Sequence, residues 1–320
     1  MSLGRALACG LLVWALLGPG RVHAEDAAPV DPGALVQTWL KASGRARGPL
    51  TSRLRALGAK AAPAVRAAEK GATAAQRKRL VRLLARLRED HQRAATPEGM
   101  IYIPAGLLEV PRASAPWGPS GTRRHVGAFY LARTEVTVGQ WRAWLATLER
   151  AQPGSPKRLG LYRPREDVDA TLPATRVRHP DAERYARDAG ARLPTADEFE
   201  RALRGSGLAT WPWGDRMRKG RANLLDQGPG GLTPVGSYPA GASAFGALDL
   251  VGNAAEWSAT FVAQGQRGRY ALVLGGSYID APNAALTWRG LARNRARVGT
   301  RERQGWIGFR LARDAPALPD

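Results

Sequence analysis

The sequence predicts an α+β protein, with a short all-α module followed by a larger, loop-rich domain of mixed helix and strand. Three observations predict it. Residues 35–93 are rich in Ala, Leu and Arg, and their apolar positions recur at helical spacing. Beyond Met100 the apolar residues gather into short runs of strand length, separated by amphipathic helices. The 37 Gly and 23 Pro among 320 residues supply the many turns such a domain needs. An apolar fraction of 44% is ample for a core, and the length admits one large domain with a smaller one.

The chain opens with the pattern of an export leader. Arg5 provides the positive end, Ala6 to Leu17 the short apolar stretch, and Gly18-Pro19-Gly20 its break. Val22-His23-Ala24 is a small-residue cleavage site before Glu25. The apolar stretch is shorter than the roughly 20 residues a bilayer span needs. A lipoprotein cleavage box is not expected, because Cys9 sits at the front of the apolar run and not behind it. Cleavage removes Cys9, the one cysteine of the chain. The expected mature protein is therefore exported (periplasmic or secreted), has no disulfide and keeps no transmembrane span.

Residues 25–97 form the predicted basic helical module. After a flexible lead, Asp31 caps a helix whose first residue is Pro32. Leu35, Val36, Trp39 and Leu40 share one face of it. Leu80, Leu83, Leu84 and Leu87 mark a later helix at i, i+3, i+4, i+7, with Arg77, Lys78, Arg79, Arg82, Arg86 and Arg88 on its other side. The stretch from Leu54 to Leu87, with Pro63 opening a second helix, resembles a helical repeat pair of the HEAT type. Residues 41–93 hold 15 Lys/Arg against 3 Asp/Glu. Such a face either binds a polyanion, an acidic protein or anionic lipid, or simply solubilises a small bundle.

Residues 98–320 form the predicted main domain. Met100 to Gly106 is a strand ended by Pro and Gly, and Val126 to Leu131 a second strand. Thr137-Val-Gly-Gln140 is a capping box, followed by the apolar face Trp141, Trp144, Leu145 and Leu148. Pro180 opens the next helix, which buries Ala182, Tyr185, Ala186 and Ala189 and ends at Gly190. Thr195-Ala-Asp-Glu198 is another capping box, ahead of Phe199, Ala202, Leu203 and the stop at Gly205. Tyr270–Leu274 and Trp306–Leu311 are the clearest strands in the remainder.

Several of these segments, taken in order, resemble the formylglycine-generating enzyme (sulfatase-modifying factor) family. They are Leu131 to Leu145 with its Arg-Thr-Glu-Val-Thr core, and Asp181 to Gly205 with Ala189-Gly-Ala-Arg-Leu-Pro-Thr195. Trp211-Pro-Trp-Gly-Asp215, Ala222-Asn223 and Pro234-Val-Gly-Ser-Tyr238 follow. Leu250-Val-Gly-Asn-Ala-Ala-Glu-Trp257, Gly275-Gly-Ser-Tyr278 and Gly308-Phe-Arg310 complete the series. Each is weak alone, but in this order they cover residues 100–313. The resemblance implies a C-type-lectin-like fold. It also implies structural calcium, which takes about six to eight oxygen ligands. Asp249, Gly252, Ala254 and Glu256 match one family calcium site, with Asp249 where an Asn can stand. Asn223 and Leu224 match the start of a second site, for which Asp226 is the substitute ligand in a shortened loop.

The resemblance fails at the reactive centre. The family's oxidases hold copper through two thiolates that follow the Gly-Gly-Ser strand, soft donors suited to Cu(I). Asp280 and Ala285 stand at those positions here, and neither is a soft donor. Copper-dependent formylglycine generation is therefore not expected. His91, His125 and His179 show no ligand spacing for iron or zinc. Ser277 and Asp280 are the candidates for any remaining acid/base chemistry, against the plainer reading that Asp280 only closes a loop. Arg289, Arg293, Arg295 and Arg297 crowd the next segment, where they either recognise carboxylates or phosphates through bidentate contacts or form a solvated loop. The formal net charge is +21, yet no aromatic-plus-basic motif points to nucleic acid. The expected function is binding of an acidic exported protein or peptide in this groove. A non-copper enzyme using the same groove, in oxidative maturation of a peptide or small molecule, is the first alternative. A polyanion binder acting through the basic module is the second.

Overall fold

The computed structural model describes residues 30–109, 123–205, 209–263, 269–281 and 303–319. The expected leader, Ala285 and the arginines at 289–297 lie outside the described residues. The chain divides into two compact units, one ending at Leu84 and the other starting at Ala85.

The smaller unit is helical, as its periodicity predicts. Asp31 caps α1 (Pro32–Lys41) by accepting from the Gly33 and Ala34 amides at 2.9 and 3.1 Å. α2 (Arg47–Ala56) and α3 (Ala62–Glu69) follow, with Pro63 in the first turn of α3. Both pack on α1, burying Val36, Trp39, Leu54 and Val65. α4 (Ala74–Ala94) comes next and is 21 residues long.

The expected junction at residues 97/98 lies just past the end of α4, in the larger of the two units. The last turns of α4 belong to the larger unit because Gln92 is tied into it. Gln92 donates to the Pro316 carbonyl at 2.8 Å and accepts from the Tyr102 hydroxyl at 3.0 Å. Its own carbonyl accepts from the Tyr130 hydroxyl at 2.6 Å.

Among the described residues, the larger unit is built on three small sheets. β1 (Met100–Ile103), β4 (Phe129–Ala132) and β8 (Ala312–Asp314) form an antiparallel sheet in the order β1-β4-β8. β2 (Gly106–Glu109) and β3 (Arg123–Val126) pair antiparallel. β5 (Ala255–Ala263) runs antiparallel to β6 (Arg269–Leu274) and parallel to the short β7 (Ile307–Gly308). The helices are α5 (Val138–Ala151), α6 (Ser155–Arg158), α7 (His179–Asp188) and α8 (Ala196–Arg204). Both capping boxes expected from the sequence are present, Thr137 with Gln140 on α5 and Thr195 with Glu198 on α8.

The β6-β5-β7 sheet separates two apolar clusters. Successive strand residues point to opposite faces. Leu272 and Leu274 thus enter a cluster with Phe129, Leu131, Phe199 and Leu250. Ala271 and Val273 enter another with Trp141, Tyr185, Trp257 and Phe309. Both faces of the strand are covered, which is why this segment reads as a continuous apolar run. Thr195→Ala removes the acceptor for the Glu198 amide at the start of α8 and is expected to lower unfolding free energy by about 1 kcal/mol. Urea denaturation of the variant beside the parent measures it.

Candidate functional site

The motif residues converge on a loop that cannot be built from ordinary backbone. From Asp249 to Asn253 the chain reverses using positive φ at Asp249 (52°), Gly252 (82°) and Asn253 (53°). Gly252 is required twice, since a Cβ there would also lie 2.3 Å from the Asn223 carbonyl oxygen. The turn delivers Asn253 to the centre of a buried network. The Asn253 side-chain amide donates to Glu135 Oε1 at 3.0 Å and to the Thr233 carbonyl at 3.2 Å. Its Oδ1 accepts from the Thr233 amide at 3.0 Å and Asn223 Nδ2 at 3.1 Å. Its backbone amide donates to the Asn223 carbonyl, and its carbonyl accepts from the Tyr278 amide.

Beside this hub lies a charge cluster sealed from water. The Arg310 guanidinium, fully buried, forms a bidentate pair with Glu256, with both N···O distances 2.6 Å. Arg310 also donates to the Leu248 carbonyl at 2.9 Å. Glu135 and Asp249 complete the cluster, 1% and 6% exposed. Asp249 Oδ2 accepts from the Gly236 amide at 2.6 Å, and the buried Glu135 carboxyl lies close enough to Asp249 for the two side chains to share a hydrogen bond. Three carboxyl groups thus share one guanidinium. Burial, reinforced by the nearby Asp249 charge, pushes the Glu135 carboxyl well above the ordinary carboxylate range. Burial raises Asp249 and Glu256 as well, and Arg310 pulls both part of the way back.

The first expected calcium set comes together here, with the Glu256 carboxylate engaged by Arg310 and Asp249 Oδ2 by the Gly236 amide. Both Glu256 oxygens face Arg310, and a cation beside them would meet that buried guanidinium. As arranged, Glu256 offers calcium no free carboxylate, because Arg310 holds both of its oxygens. Among the described residues no group of three or more His, Cys, Asp or Glu side chains is placed to hold a metal ion. The second set fits in part. Hydrogen bonds from Nδ2 to the Gly231 carbonyl (2.8 Å) and Asn253 Oδ1 orient the Asn223 amide. Its Oδ1 is left buried without a donor, against Gly228, where a Cβ would come within 2.0 Å. The Leu224 carbonyl already accepts from the Gln227 and Gly228 amides, and Asp226 is exposed.

Ser277 and Asp280 do meet. Asp280 Oδ2 accepts from the Ser277 amide at 2.7 Å and from its hydroxyl at 2.9 Å. The Asp280 amide returns a bond to the Ser277 carbonyl, and its carbonyl accepts from the Leu225 amide. The carboxylate thereby closes a tight turn over a fully buried serine. His179 is a core residue, with Nε2 2.9 Å from the Ser258 carbonyl oxygen and its ring against Trp257 and Phe261. Sequence reasoning missed the roles of Glu135, Asn253 and Arg310. All three lie within the quoted motifs, so membership in a motif was the available signal.

Residues 85–315 match the family model described as "sulfatase-modifying factor enzyme 1-like domain", and the chain belongs to that family. It is 37% identical over 139 residues to a formylglycine-generating enzyme of Mycobacterium tuberculosis, covering 39% of this chain and 44% of the relative. It is 37% identical over 163 residues to the mouse inactive C-alpha-formylglycine-generating enzyme 2, covering 45% and 50%. A hercynine oxygenase of Mycolicibacterium smegmatis is 31% identical over 161 residues, covering 42% and 38%. These matches extend over half or less of each relative. Among solved structures, CarF aligns at a TM-score of 0.51 and 20% identity, over 69% of this chain and 99% of that one. Treponema denticola variable protein 1 aligns at 0.50 and 16%, over 68% and 95%. Both likenesses support the mixed helix-and-sheet fold and nothing finer.

Two outcomes follow from the buried charges. Arg310→Met leaves three buried carboxyl groups without their cation and is expected to destabilise by about 3–5 kcal/mol in chemical denaturation. The second concerns Glu200 on α8, paired to Arg204 at 2.7 Å. Burial pushes its carboxyl up to about 7, against the pull of Arg204. A raised carboxyl favours folding below its unfolded value, and that advantage is lost as pH rises through the folded value. Thermal stability is therefore expected to fall between pH 4.5 and pH 7. Glu200→Gln should flatten this stretch of a melting-temperature-against-pH curve.

Proposed function

We propose that this chain is a binding or accessory member of its family that does not carry out copper-dependent oxidation, and that it acts after export. One observation carries this reading. The position taken by a thiolate in the family's oxidases is Asp280, and its Oδ2 is spent on the Ser277 amide and hydroxyl at 2.7 and 2.9 Å. A hard carboxylate so engaged is a poor Cu(I) donor, and the mature sequence would hold no thiol to replace it. The likeness to a relative named inactive supports the reading, while the relatives named as enzymes keep a rival in view. The groove beside Ser277–Asp280 would receive an acidic protein or peptide, held by the arginines at 289–297. The rival is a non-copper enzyme in which Asp280 moves a proton.

Oxygen uptake separates the two. The purified mature chain, given a cysteine-containing peptide with and without copper, is expected to consume no more oxygen than buffer. Copper-independent uptake that disappears in Asp280→Ala would establish the rival. For the binding reading, Arg293→Glu with Arg295→Glu should weaken an acidic peptide at least tenfold in fluorescence anisotropy, and an unchanged affinity would refute it.

Calcium, where this chain takes it, is assigned to the Asn223 turn and not to Glu256. The unpartnered Asn223 Oδ1 supports that choice. Calcium is expected to raise the melting temperature of the parent and of Glu256→Gln alike, and to leave Asn223→Ala unmoved. A calcium response that vanishes in Glu256→Gln would reverse the assignment.

A further inference from the structure

The helical unit carries charge that no acidic side chain among the described residues neutralises. In the first half of α4, Arg77, Lys78, Arg79 and Arg82 are all exposed. Among the described residues none of the four has a hydrogen bond or ion pair to an acidic side chain. A helix turns about 100° per residue. With Lys78 at zero, Arg82 stands near +40°, Arg79 near +100° and Arg77 near −100°. Leu80 and Leu83, 0% and 2% exposed, occupy the opposite side. The outer half of the helix is thus a continuous basic face. Val81, 54% exposed, stands inside it near −60°.

We infer that this face docks on an anionic lipid surface. The charge is complementary to such a surface, and the other features narrow the choice. Single-stranded nucleic acid is gripped by stacking on aromatic rings. Trp39 is the sole aromatic residue between positions 30 and 84. It is 5% exposed, its ring nitrogen donates to Thr51 Oγ1 at 2.8 Å, and Arg47 covers its face. A specific protein partner is held at a central anchor of aromatic or large apolar side chains. Among its described residues, Val30 and Val81 are the large apolar ones this unit exposes, and two isolated valines make no such anchor. A diffuse, fluid array of anionic headgroups needs neither device. It requires several unpaired cations near one another, and clusters of about four to eight Lys or Arg read as anionic-lipid binders. The leucine stripe of α4 is committed to the protein interior, so the helix cannot sink into the acyl region. It rests at headgroup depth, held by charge, with Val81 at the boundary. This surface involves neither Ser277 nor Asp280.

The test uses the full mature chain and vesicles of phosphatidylglycerol mixed with phosphatidylcholine, in co-sedimentation at about 0.1 M salt, where charges are screened beyond ~10 Å. Binding is expected to the mixed vesicles and not to pure phosphatidylcholine, with release at several-fold higher salt. Each basic residue at such a surface is worth about fivefold in affinity. The triple variant Lys78→Gln, Arg79→Gln, Arg82→Gln should therefore bind about a hundredfold more weakly, with unchanged circular dichroism. Val81→Asp should weaken binding as well. Equal binding to neutral vesicles, no binding to either, or undiminished binding of the triple variant would overturn the inference. So would a preference for duplex DNA or inorganic polyphosphate over the mixed vesicles at the same salt.

Discussion

The larger unit is organised around one buried ion pair. Arg310 follows β7 in the chain, and Glu256 lies on β5, the strand beside β7. Their pairing fixes the C-terminal part of the chain to the centre of the fold. The same guanidinium reaches the Leu248 carbonyl at the start of the motif loop. A buried pair of this kind contributes little net stability over an apolar filling, but breaking it is severe. Its value is positional. With Glu135 and Asp249 also nearby, the cluster tolerates few rearrangements, and the strained turn at residues 249–253 is held in place by it.

That arrangement bears on function. Family membership rests on the match over residues 85–315, and the motifs responsible are largely the ones that build this cluster and the Asn253 network. They preserve the scaffold. The two-thiolate centre that the family resemblance implies for copper oxidases falls at a different place, beyond the Gly275-Gly276-Ser277 turn, where this sequence puts Asp280. In this chain the scaffold is complete around a carboxylate, and the likeness of the scaffold cannot by itself carry an activity across.

The elements with strong local signals were legible from sequence. Both capping boxes, the Asp31 cap and the glycine stops at Gly190 and Gly205 are short-range chemistry, and each sits where its residues indicate. The apolar run at Leu272–Leu274 was also legible as a strand, because both its faces are buried. The unit boundary was harder. It falls inside α4, and only the long-range bonds of Gln92 to Pro316, Tyr102 and Tyr130 show which half belongs where. The site was half legible. The family resemblance brought Asp249 and Glu256 to attention, and Ser277 with Asp280. It could not show that Glu256 is satisfied by Arg310, 54 residues away. Oxygen-rich loops look alike in sequence whether their carboxylates face a metal ion or a guanidinium.

The two-sided strand β6 has a consequence of its own. Its odd and even residues fill separate clusters. Sliding it by one position against β5 would exchange Leu272 and Leu274 with Ala271 and Val273, overfilling one cluster while hollowing the other. A one-residue slip can satisfy neither side, so the strand acts as a gauge against that misalignment during assembly.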